Sequence, residues 1–127
     1  MPMILPEELA SKSVIPAIRA MIVKRLVEHH GMTQQEAAKL LGVTQPAVSK
    51  YLHEKRGVAI RLGGIEKIER ATKDIASLIS SRTAQPLQVM SKIEEACEFV
   101  RKNRYMCDLH KKLEPNIDVD SCHVCEQ

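Results

Sequence analysis

A chain of 127 residues has room for one domain of ordinary size, or a small domain with an appendage. Its 44% hydrophobic and 28% charged residues exclude wholesale disorder, and its net charge of +3 is modest. One Phe, two Tyr and no Trp leave almost no aromatic surface on which single-stranded bases could stack, which weighs against RNA and single-strand partners.

The opening MPMILPEELASKS lacks the basic start and long apolar run of an export signal, and Arg19 and Lys24 interrupt the longest apolar stretch. A cytoplasmic location with no membrane association is therefore expected. Pro6, Glu7 and Glu8 suit the first turn of a short helix. Ser13 is a good N-cap for a longer helix to about His30, with Pro16 in its first turn and Gly31 closing it. Ile15, Ile18, Ile22 and Leu26 share one face at helical spacing.

Thr33-Gln-Gln-Glu36 reads as a capping box at the start of a helix from Gln34 to Leu41. Thr44 caps the next helix, Gln45 to about His53, with Pro46 in its first turn. Lys55 to Gly64 reads as a glycine-rich basic loop. Further helices are expected from Ile65 to Ser81 and from Leu87 to about Arg104, and an irregular polar tail from Tyr105. The expected class is all-α: a helix-turn-helix bundle, then long helices and a metal-bound irregular tail.

The segment TQQEAAKLLGVTQPAVSKYL has the parts of a helix-turn-helix. Small Ala37 and Ala38 let two helices approach, and Gly42 is expected where a side chain would obstruct the turn. Leu41, Val43, Val48 and Leu52 supply a shared core. Any helical bundle can hold an alanine-rich helix, a glycine and another helix; the joint pattern of caps, turn glycine and polar outward face is more specific. Thr44, Gln45, Pro46, Ser49 and Lys50 form the outward start of the second helix, the part that enters the major groove in this motif. Gln bonds adenine, Ser is donor and acceptor, and Lys addresses guanine or phosphate. Gln34 and Gln35 are placed for backbone phosphate, and Lys55, Arg56 and Arg61 for phosphate or the minor groove. Residues 1–63 hold nine Lys and Arg against five Asp and Glu, a balance of +4, whereas residues 64–127 hold ten against eleven, a balance of −1. Counterion release favours the first half for duplex DNA, although so small an asymmetry is also compatible with scatter.

The segment from about Pro16 to Gly57 resembles the lambda-repressor/Cro-like helix-turn-helix (XRE-type) class, and IPAIRAMIVKRLVEHHGMTQQEAAKLLGVTQPAVSKYLHEKRG resembles archaeal regulators that join this domain to a cysteine-containing tail. The resemblance implies a transcriptional regulator, with Gln34, Gln45, Ser49 and Lys50 at positions that commonly touch DNA in the class. In the second half it rests only on the cysteines, and the long helices there depart from the short fourth and fifth helices of bacterial members.

All four cysteines, Cys97, Cys107, Cys122 and Cys125, lie in the last 31 residues with the spacing C-x9-C-x14-C-x2-C. In a reducing compartment that grouping points to metal ligands before disulfides. Four thiolates suit an iron–sulfur cluster or a tetrahedral zinc. One CxxC knuckle with wider spacing elsewhere favours the cluster, as does the archaeal resemblance; zinc and unmetallated thiols are the alternatives. Cys97 alone also reads as a small buried hydrophobe. His110 and His123 read as surface histidines, or as substitute ligands.

The expected division is a DNA-binding domain at residues 1–63 and a helical dimerisation region with the cysteines at 64–127. One recognition helix reads few base pairs, so a homodimer on double-stranded DNA is expected. The stripe Ile65, Ile68, Ile75, Leu78, Ile79 suits either a dimer seam or the chain's own core. Rival readings are a zinc-stapled protein-binding adaptor, a regulator with structural zinc, and a thiol oxidoreductase using Cys122 and Cys125. The last needs an α/β fold that this chain lacks signals for, and no catalytic constellation is present, so no enzyme activity is expected.

Overall fold

The computed structural model describes residues 3–53, 62–116, 118 and 124. These form α1 (Pro6–Lys12), α2 (Val14–Glu28), α3 (Gln34–Leu41), α4 (Gln45–His53), α5 (Glu66–Ser80), α6 (Pro86–Lys102) and α7 (Cys107–Leu113), with no strand among the described residues. The all-α class is as expected. None of the described helices is long and apolar enough to cross a membrane.

The break between α1 and α2 follows from Pro16, which has no N–H and whose ring excludes the carbonyl four residues earlier. Ser13 sits at that break with φ −131° and ψ −67°. It does not cap α2 through its side chain, contrary to expectation. It also terminates α1, and its buried hydroxyl donates instead to the Leu9 carbonyl at 2.6 Å. Gly31, at φ +65°, turns the chain after α2 so that the Met32 N–H reaches the Leu26 carbonyl at 3.1 Å.

Helix α2 is the centre of the molecule. Ile18, Ile22 and Leu26 are fully buried in a core that also takes in Ile68, Ile75 and Ile79 of α5 and Ala96 and Val100 of α6. Each such aliphatic side chain contributes about 2 kcal/mol on burial, so this cluster dominates the fold's stability. It draws on residues from both sides of the 63/64 division. Four of the five stripe residues pack within this chain: Ile68, Ile75 and Ile79 are only 0%, 2% and 4% exposed and Ile65 packs against the cluster, whereas half-buried Leu78 lies outside it. A second, smaller cluster joins Val23 of α2 to Ala38 and Val48, with Leu41, Val43, Tyr51 and Leu52 packed against it. Sharing α2 between the clusters mounts α3 and α4 firmly on the rest of the molecule.

The stretch after Tyr105 is not wholly irregular. Arg104, at φ +65°, reverses the chain after α6, the Tyr105 N–H closes onto the Val100 carbonyl, and buried Met106 anchors the start of α7. His110 is buried rather than on the surface, with its Nε2 3.3 Å from Glu114 Oε1. The same carboxylate oxygen accepts the Ile4 N–H, tying the chain's first described residues to α7.

Candidate nucleic-acid interface

Thr33 caps α3 by accepting the Glu36 N–H at 3.1 Å. The capping box is only half as expected. The Glu36 carboxylate takes the Thr33 hydroxyl at 3.3 Å and pairs through its other oxygen with Arg82 at 2.7 Å. After α3, Gly42 adopts φ +76° and ψ +29°, and the Val43 N–H returns to the Ala38 carbonyl at 3.0 Å, the closure of a Schellman turn. A Cβ at Gly42 would meet nothing within 4 Å. Glycine is required here by the left-handed backbone, and not by crowding as the sequence suggested.

Thr44 then caps α4, its hydroxyl oxygen accepting the Ala47 N–H at 3.2 Å. Buried Ala38 leaves room for Val48, which is fully buried in a cluster with it and Val23 of α2, while Ala37 packs into the main core. This fixes the rotation of α4 about its axis. Thr44, Gln45, Pro46 and Lys50 are exposed and Ser49 is half-buried; on α3, Gln35 is exposed and Gln34 half-buried. The structure also joins two of these residues directly, since Gln45 Nε2 donates to Gln34 Oε1 at 2.8 Å. That leaves Gln45 with its carbonyl oxygen and one N–H, and Gln34 with both N–H groups, for an external partner. At the other end of α4, His53 Nδ1 lies 2.8 Å from the Ser49 carbonyl. Lys55, Arg56 and Arg61 lie outside the described residues.

Arg82 was not legible as part of this region. It stands 46 residues from Glu36 in a turn after α5, at φ +60°, and no motif marks it. Its ion pair holds the first turn of α3 against the end of α5.

Of the four cysteines, Cys97 on α6 and Cys107 at the start of α7 are half-buried free thiols, whereas Cys122 and Cys125 lie outside the described residues. Burial pushes the Cys97 thiol up to about 11; Glu94 adds to the rise and Arg19 opposes it. A metal would have to displace that proton to gain a thiolate ligand. Among the described residues no three His, Cys, Asp or Glu side chains are grouped to hold a metal ion. Cys97 and Cys107 therefore make no site by themselves, and a four-thiolate site needs Cys122 and Cys125.

Two short capped helices, a left-handed glycine between them, a shared apolar seam and a polar outer face on the second define a helix-turn-helix domain. Residues 18–64 match the Cro family model, so the domain is Cro-like, and the match supports a DNA-binding regulator. No curated protein and no solved structure matches the chain.

Proposed function

We propose that the chain is a sequence-specific transcriptional regulator that reads duplex DNA with the outer face of α4. The observation that carries this reading is the polar face of Gln45, Pro46 and Lys50, exposed on the second helix of a Cro-like domain with Gln45 already held by Gln34. Gln45, Ser49 and Lys50 address base edges in the major groove, and Thr44 and Pro46 form the close-approaching start of the helix. Gln34, Gln35, Lys55 and Arg56 hold the phosphate backbone and set the register.

A few base pairs per recognition helix give too little specificity for one copy, so the chain acts as a homodimer on paired half-sites. The partner places it in the cytoplasm, and its role is binding, not catalysis. Residues 1–63 carry the DNA contacts, and residues 64–127 carry the support helices and cysteines. Cys97, Cys107, Cys122 and Cys125 are proposed as ligands of an iron–sulfur cluster, with zinc as the alternative; the support is their confinement to the last 31 residues. A bound cluster would supply a redox-dependent charge, making the regulator responsive to redox, oxygen or iron state.

Replacing Gln45, Ser49 and Lys50 together by Ala tests the reading, with circular dichroism confirming unchanged helix content. The proposal expects affinity for the selected duplex to fall at least a hundredfold, as about 1–3 kcal/mol per base-reading contact implies. Unchanged affinity would favour a protein-binding adaptor.

A further inference from the structure

A groove of about 660 Å³ opens between the helix-turn-helix and α6, within the size range of small-molecule sites. Its walls are apolar, built from Leu40 and Leu41 of α3, Ile79 of α5, and Val89, Met90 and Ile93 of α6. Its charged lining is lopsided: Arg19, Lys39 and Arg82 stand against one carboxylate, Glu94. Arg82 is engaged with Glu36. Arg19 is half-buried and Lys39 exposed, and neither makes a hydrogen bond or ion pair with another described residue. Glu94 is the one carboxylate in the lining facing these two cations, so an anion placed beside Arg19 meets an electropositive wall and gains a charge-assisted bond.

We propose that this groove binds an anionic amphipathic small molecule, a carboxylate carrying an apolar tail. The tail lies along Val89, Ile93 and Leu40, and the carboxylate meets Arg19 with Lys39 beside it. Apolar walls alone would accept any hydrophobic ligand; Arg19 and Lys39 select the charged one. Leu41 and Gly42 also line the groove, so its occupant touches the turn between α3 and α4.

The probe is 8-anilinonaphthalene-1-sulfonate, itself an apolar anion, titrated into the full chain and displaced by decanoate or by decanol. Saturable one-to-one binding is expected, with decanoate displacing at least tenfold better than decanol. Arg19→Gln should weaken decanoate about tenfold, the loss of one charge-assisted bond, and leave decanol unchanged. Arg19→Lys, which keeps the charge, should retain most of the affinity, and Val89→Trp should block both ligands at unchanged helix content. The proposal is overturned by absence of saturable binding, by equal displacement from the two ligands, or by an Arg19→Gln variant that binds decanoate normally. Probe binding that disappears as the chain dimerises with rising concentration would assign the groove to a second copy and overturn it too.

Discussion

The side-chain amide of Gln45 donates to that of Gln34 at 2.8 Å, joining the first residue of α4 to the first residue of α3. The sequence assigned these glutamines separate tasks, base and phosphate. The bond joins them into one unit, so in the proposed DNA complex a phosphate on Gln34 would also fix the amide that Gln45 offers to a base. Ordering a free glutamine costs side-chain entropy at the moment of binding, and part of that cost is already met in the free protein.

Gln34→Ala and Gln45→Ala should therefore be non-additive in DNA binding. A double-mutant cycle on the selected duplex is expected to give a coupling of about 1 kcal/mol. Gln34→Ala alone should also relax discrimination at the base that Gln45 reads. Strictly additive losses would mean that the two side chains act independently on DNA.

Gly42→Ala should lower stability in urea unfolding by about 1–2 kcal/mol, the price of a left-handed residue with a Cβ. Open space around the added methyl confines the penalty to the backbone. A clearly larger loss would point to crowding at the turn after all.

The helix-turn-helix was legible in the sequence because its signals are local. Thr33, Gly42 and Thr44 each act on backbone groups within five residues, so the ends of α3 and α4 could be placed before any packing was known. What stayed hidden depends on distant partners. Ser13 resembles an N-cap, and only the end of α1 immediately before it explains why its hydroxyl turns to Leu9. Helix α7 is seven residues long with three charged side chains, and buried Met106, just before it, and His110 gain meaning from Glu114 and the Ile4 N–H. Arg82 and Arg19 acquire roles only once α5 and α6 fold back on the first four helices.

The link between α7 and the start of the chain gives a further expectation. Glu114→Ala removes the acceptor for the Ile4 N–H and the partner of buried His110. A loss of about 1–3 kcal/mol is expected, the penalty for stranding part-buried polar groups. Hydrogen exchange at the Ile4 amide should accelerate well beyond that at α2 amides; unchanged exchange at Ile4 would count against the link.

Cys97, with its thiol pushed up to about 11 from the ordinary 9.0, should be slow to alkylate in chelator-treated folded chain at pH 7.5. A two-unit rise lowers the thiolate fraction roughly a hundredfold relative to the chain unfolded in urea. The folded chain holds this proton more tightly than the unfolded one. Cys97 therefore supports the fold below pH 9, and that support is lost as pH climbs through 11. Equal alkylation rates in folded and unfolded chain would contradict the assigned environment.

The central claim is that α4 reads sequence. Its most direct test is selection of bound duplexes from a randomised library with the full chain, followed by affinity for the selected and scrambled sites at physiological salt. A recurrent half-site is expected, with a preference of at least a thousandfold, the range of specific regulators over their own non-specific binding. Binding without enrichment of any sequence, and governed by salt alone, would contradict it.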